Sequence, residues 1–145
     1  MEKLWFELAL MTMKDIVKDS QKIKEKSVSD LDLKSADVIV LLELMKHQDG
    51  LTFVELTKNV SVDKANTSRV VNELIKKGFI LKKDSKKYKY NLVLTDLGYV
   101  TTRDIFKEMK KIQHELGKDL SIQELNDFYK TLNKISDNLK KQMND

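Results

Sequence analysis

Residues 62–79 read VDKANTSRVVNELIKKGF, and the hydrophobic period of the chain changes at the glycine near their end. Before Gly78, residues Thr67, Val70, Val71, Leu74 and Ile75 recur at the spacing of one helix face. After it, FILKKD and KYNLVLT alternate in the manner of two short strands, with DSKK between them as the turn. A helix closed by a left-handed glycine and followed at once by a hairpin leaves few architectures open. Ser61 is the expected N-cap of this helix, Lys77 its last residue, and Phe79 is placed to pack back on it. Tyr88, Tyr90, Leu92 and Leu94 are expected on one face of the hairpin, with Lys89, Asn91 and Val93 on the other.

The rest of the chain has helical patterning. Proline is absent and only four glycines occur, so little interrupts a helix. A first helix is predicted from about Lys3 to Lys26, with Trp5, Leu8, Ala9, Thr12, Ile16 and Ile23 on its apolar side. A second spans about Lys34 to Gln48 on a stripe of Val38, Leu41, Leu42 and Met45, and Gly50 suits the turn after it. Thr52 and Glu55 have the form of a capping box, which opens a short helix ending near Asn59. Beyond the hairpin a helix starts at Thr95 or Asp96 and runs towards Leu116, where Gly117 interrupts it. A second box, SIQE at 121–124, opens a last helix on Leu125, Phe128, Leu132, Ile135, Leu139 and Met143. The fold class is therefore mainly α with a small β-hairpin wing, in one domain of 145 residues. Its central part has the order of a winged helix-turn-helix.

Several function classes fall away. There is no cysteine, hence no disulfide, thiolate redox sensor or cysteine zinc site. His47 and His114 are too few for a zinc site, which normally takes three or four ligands, so no metal and no cofactor is expected. No glycine-rich phosphate loop or nucleophile triad is present, and no enzyme is expected. No apolar run approaches the roughly 18 residues of a membrane span. The N-terminus mixes acids and lysines through its apolar residues, as an amphipathic helix does and a signal peptide does not. A cytoplasmic protein without a membrane partner is expected.

Charge is unevenly spread. Residues 51–95 carry nine lysines and one arginine against four acids, a net of +6, which leaves −2 for the remainder of a chain at +4. A basic segment of this kind is the footprint of phosphate binding. The helix within it also meets what the major groove of DNA demands, one buried face and one face offered to base edges. Lys64, Ala65, Asn66, Ser68, Arg69 and Asn72 fall outwards. Asn66 can pair bidentately with adenine and Arg69 with guanine, while Ser68 and Lys64 can hold phosphates. Ala65 is small enough for close approach, and the first amides, at Val62 and Asp63, can receive a phosphate. The hairpin lysines Lys82, Lys83, Lys86, Lys87 and Lys89 can neutralise flanking phosphates, or simply protect a hairpin edge from aggregation. By periodicity alone, a solvated face of a winged-helix protein-interaction module without its own DNA site fits equally well.

Three segments carry a family resemblance: LKSADVIVLLEL at 33–44, LTFVELTKNVSVDKANTSRVVNELIKKGFILKK at 51–83 and LVLTDLG at 92–98. With them the chain resembles the MarR family of bacterial transcription regulators, the staphylococcal SarA-type branch included, over nearly its whole length. The resemblance implies a winged helix-turn-helix at 33–98 that binds double-stranded DNA. It implies flanking helical regions, at 1–32 and 99–145, that dimerise it, and a repressor acting on a palindromic operator. Two features depart from the family pattern. Wings of the family carry an Asp-x-Arg motif whose arginine enters the minor groove, whereas KKDSKKYKYNLVLT has no arginine and places Lys86 or Lys87 near that position. Lys34 stands where a Ser or Thr helix cap is common.

A homodimer is the expected state, since one recognition helix reads only a few base pairs. Leu4, Trp5, Leu8, Leu125, Phe128, Leu132 and Leu139 are the candidates for its interface, or else part of the intrachain core. Relatives hold a small-molecule effector between the dimer helices and the winged domain. Trp5, Phe6, Met11, Met13, Phe106 and Met109 are the candidate lining here, with plain core packing as the alternative.

Overall fold

The computed structural model describes residues 4–60, 62–84 and 89–144. Its elements are α1 (Trp5–Val28), a 3-10 turn (Ser29–Leu31), α2 (Ser35–Met45), α3 (Phe53–Val60), α4 (Lys64–Lys76), β1 (Ile80–Lys83), β2 (Asn91–Leu94), α5 (Asp96–Gly117) and α6 (Ile122–Asn144). Contacts group the chain into two compact units, one running to Met109 and one from Lys110.

The first unit is built around α2. Val38, Val40, Leu41 and Leu44 are all buried, and the helix contacts α1, α3, α4 and β2. The predicted stripe was narrower. Leu42 and Met45 are half-buried, while Val40 and Leu44, on other sides, are enclosed. A helix surrounded on several sides has no single apolar face to read. Its start is held by Asp37, whose carboxylate accepts from the Lys34 amide at 2.8 Å. Lys34 has no acceptor to complete a box, so the cap is one-sided.

Helix α4 has a different start from the expected one. Asp63 is the N-cap, and its carboxylate accepts from the Asn66 amide at 2.8 Å. Ser61 lies outside the described residues. Thr67 donates its hydroxyl to the Asp63 carbonyl at 2.9 Å and is fully buried. At the other end Gly78 has φ +81°. Its amide donates to Ile75 O at 3.0 Å and that of Phe79 to Leu74 O at 2.9 Å. This is the Schellman closure, and buried Phe79 and Leu74 accompany it as its hydrophobic contact.

β1 and β2 pair antiparallel in the register Ile80↔Leu94, Leu81↔Val93, Lys82↔Leu92 and Lys83↔Asn91. Leu51 adds a bridge to Leu92, its amide and carbonyl both engaged, and so ties the hairpin to the segment before α3. Gly50 permits this approach. It has φ +89°, and a Cβ there would meet Val93 Cγ1 at 2.6 Å and Leu92 O at 2.7 Å. The closeness also explains why Val93 is buried along with Leu92, against the simple alternation expected for β2. Tyr88 lies outside the described residues.

Thr95 joins hairpin to α5. Its hydroxyl donates to Gly78 O at 2.6 Å and accepts from the Gly98 amide at 2.9 Å, while its own amide donates to Phe79 O at 3.0 Å. Both predicted capping serines and threonines act at the other helix starts as well: Thr52 accepts from the Glu55 amide at 3.2 Å and Ser121 from the Glu124 amide at 3.0 Å.

In the second unit, α6 has no buried residue. Of its predicted stripe, Leu132 and Ile135 are half-buried, and Leu125, Phe128, Leu139 and Met143 are exposed. In the first unit α1 likewise buries only Val28.

Candidate nucleic-acid interface

Helix α4 divides as its sequence predicts. Thr67, Val70, Val71 and Leu74 are buried against the first unit's core. Lys64, Ala65, Arg69 and Asn72 are exposed on the other side, with Asn66 and Ser68 half-buried at its margins. The Arg69 guanidinium approaches Asn66 Oδ1 at 3.5 Å, so these two side chains leave the helix as a pair. Glu73 also faces outwards, where Lys76 balances it at 3.5 Å. The first free amides of the helix differ from the expectation. The helix begins at Lys64, Val62 and Asp63 precede it, and the Asp63 carboxylate occupies the Asn66 amide. An anion is therefore already in place at this terminus.

Beside the helix lies the hairpin. Lys82, Lys83 and Lys89 are exposed. Lys86 and Lys87 lie outside the described residues. The Lys82 ammonium stands over the Tyr90 ring, 4.7 Å from its centroid. Between helix and hairpin a cleft of about 130 Å³ is lined by Ser68, Asn72, Lys82 and Tyr90 over Phe53, Val71 and Leu92. Tyr90 and Phe53 were absent from the sequence-derived contact set. The hairpin register contained the clue for Tyr90: Lys82 faces Leu92, and Tyr90 is that residue's neighbour on the same side of the strand.

Behind the interface, Glu43 braces α2 against α3. It receives Asn59 Nδ2 at 3.1 Å and lies 3.3 Å from both Lys46 Nζ and His47 Nε2. Its side chain is only 15% exposed, and burial alone would raise its carboxyl. Lys46, Asn59 and His47 outweigh that, and the pKa is lowered from 4.5.

The other predicted residues are placed as follows. Leu4, Trp5, Leu8, Leu125, Phe128 and Leu139 are exposed. Phe6, Met13 and Met109 are half-buried, with Met109 packed on the core, while Trp5, Met11 and Phe106 are exposed. None of these lines the cleft beside α4, nor a second cleft of about 220 Å³ between the end of α2 and the start of α5. Both clefts are smaller than the roughly 300 Å³ at which ligand pockets begin. Among the described residues no helix is long and apolar enough to cross a membrane, and no cluster of metal-ligating side chains is found.

A basic helix with a buried back and a polar front, flanked by a two-stranded wing, defines a DNA-binding transcription regulator of the winged-helix class. The comparisons agree. The family model described as sugar-specific transcriptional regulator TrmB matches residues 28–96, the winged-helix segment alone. A comparison with curated proteins found no match. Among solved structures, a MarR protein from Peptoclostridium difficile is 26% identical, with a TM-score of 0.81 over 92% of this chain and 88% of that one. The Staphylococcus aureus MepR–DNA complex is 20% identical, with a TM-score of 0.82 over 88% of this chain and 94% of that one. A putative MarR family regulator from Listeria monocytogenes, complexed with 26mer DNA, is 22% identical, with a TM-score of 0.79 over 98% of this chain and 92% of that one. The chain is thus similar over most of its length to MarR-family transcription regulators, and its winged-helix segment to the TrmB regulators.

Proposed function

We propose that the protein acts in the cytoplasm as a homodimeric repressor of a palindromic operator. Each α4 enters a major groove, with Asn66 and Arg69 reading base edges and Lys64, Ser68 and Asn72 fixing the helix on phosphates. The supporting observation is the division of α4 between a buried back and a front that holds amide, guanidinium and small side chains. The two relatives solved with DNA have the same fold. The exposed apolar residues Leu4, Trp5 and Leu8 of α1, with Leu125, Phe128 and Leu139 of α6 and the half-buried Leu132, are the dimer surfaces of this reading. A small-molecule effector that binds near Trp5, Phe6, Met13, Phe106 and Met109 would relieve repression.

Selection of bound duplexes from a random pool tests the operator and its symmetry together. A palindrome whose half-sites lie about one helical turn apart is expected. Arg69→Ala should then cost about 1–3 kcal/mol on that site and relax one base position. Absence of binding to any duplex at about 50 mM salt would instead leave the winged-helix interaction module as the better reading, because phosphate attraction is strong at such salt.

A further inference from the structure

We propose that the cleft between α4 and the hairpin seats one backbone phosphodiester of duplex DNA, with the Tyr90 ring holding the Lys82 ammonium over it. The inference rests on the DNA-binding reading and deepens it. A helix in a major groove and a hairpin beside it over the adjoining minor groove straddle the sugar–phosphate strand that separates the two. In that arrangement the strand runs through the space between helix and hairpin, and here that space holds the cleft.

The chemistry of its walls fits a phosphate. Ser68 and Asn72 project from the helix side, Lys82 and Tyr90 from the hairpin side, and Val71 and Leu92 form an apolar floor. All four polar side chains can donate hydrogen bonds, and among the described residues no carboxylate lines the cleft. At about 130 Å³ it takes a small anionic group rather than a drug-sized molecule. Lys82 is otherwise an exposed lysine with four rotatable bonds, and such a side chain is costly to immobilise. The Tyr90 face, 4.7 Å from the ammonium, restrains it before any DNA arrives. A lysine also suits the task better than an arginine, since it acts as a point charge on one phosphate rather than a planar fork.

This gives the hairpin a role despite its lack of arginine. Minor-groove reading favours arginine. A lysine fixed at the hairpin's inner wall would anchor the strand without reading sequence, and would leave base discrimination to α4.

Fluorescence anisotropy with the full chain over a series of salt concentrations tests this. Lys82→Ala, at an exposed position, should flatten the slope of log K against log salt by about 0.9, the amount of one phosphate contact. The loss should be equal on selected and unrelated duplexes. Tyr90→Leu should weaken binding in the parent chain yet add nothing in the Lys82→Ala background. An unchanged slope for Lys82→Ala, in a protein that otherwise binds, overturns the phosphate seat and leaves the regulator reading intact. A Tyr90→Leu loss of equal size in both backgrounds overturns the role of the ring. If the parent chain binds no duplex at low salt, the regulator reading fails and this inference with it.

Discussion

Lys77, the C-cap of α4, donates from its Nζ to the backbone carbonyl of Asp32 at 2.6 Å, across 45 residues of chain. The Asp32 carboxylate also lies 3.7 Å from the same ammonium, but it is almost fully exposed. Asp32 has φ 54°, in the left-handed region, so the backbone turns its carbonyl towards the helix end at some steric cost. The link fastens α4 to the turn that follows α1. Lys77→Met should lower stability by about 1 kcal/mol, towards the low end for charged hydrogen bonds, because water can reach the released carbonyl. Asp32→Gly should be neutral or stabilising, since it keeps the carbonyl and relieves the backbone. Urea unfolding of both variants checks this. A larger loss for Asp32→Gly than for Lys77→Met would transfer the role to the carboxylate.

A second fixing point lies just beyond. The backbone of Gly98 rests on the carbonyl of Phe79, so that a Cβ on Gly98 would overlap that oxygen. Thr102 then donates to Gly98 O at 2.6 Å within the buried side of α5. A backbone oxygen cannot swing away as a long side chain can. Gly98→Ala should therefore cost about 3 kcal/mol or more, the upper range for overpacking. Thr95→Ala, which removes a cap, should cost about 1 kcal/mol. Thermal unfolding orders the two variants, and an Ala at 98 that melts with the parent would show that α5 can shift off the hairpin.

These contacts show what was legible beforehand. The LTDLG segment pointed to the start of α5, but its physical reason needed Gly78 and Phe79 beside it, 17 residues earlier. The face division of α4 could be read because its period is regular and one side alone is covered. Its N-cap is Asp63 rather than the expected Ser61, because both residue types are good caps and the pattern alone does not rank them. The choice depends on where the turn from α3 closes. The extent of burial in α2 was hidden because a helix enclosed on several sides carries no periodic signal. Tyr90 reaches the cleft beside α4 through strand register, which the amino-acid pattern of a short hairpin fixes only weakly.

Glu43 makes the α2–α3 brace sensitive to acid. Its carboxyl is lowered in the folded chain from 4.5, so the folded state favours the ionised form. The stabilisation is complete above the unfolded value of 4.5 and is lost as the pH falls through the lower folded value. Glu43→Gln should be less stable than the parent near neutral pH, and the gap should close in acid. Denaturant midpoints measured from neutral to acidic pH test the sign. A gap that widens in acid would mean that burial, not its partners, dominates this carboxyl.

Exposed apolar residues on α1 and α6 lead to the prediction with the widest consequence. Leu4, Trp5 and Leu8 on one helix, and Leu125, Phe128 and Leu139 on the other, recur at helical spacing and are exposed. A helix with such a stripe gains little by leaving it in water, at about 25 cal/mol per Å² of apolar surface. Phe128 is 54% exposed, so a charge there disturbs no enclosed core. Phe128→Glu should convert a dimer to a monomer in sedimentation equilibrium. Each monomer would still offer its α4 to a half-site, yet lose the advantage of binding two at once. Its affinity for a palindrome should then fall by about 10²-fold or more, while its affinity for an isolated half-site stays close to that of the parent. A variant that sediments as the parent does would place the dimer surface elsewhere on the chain.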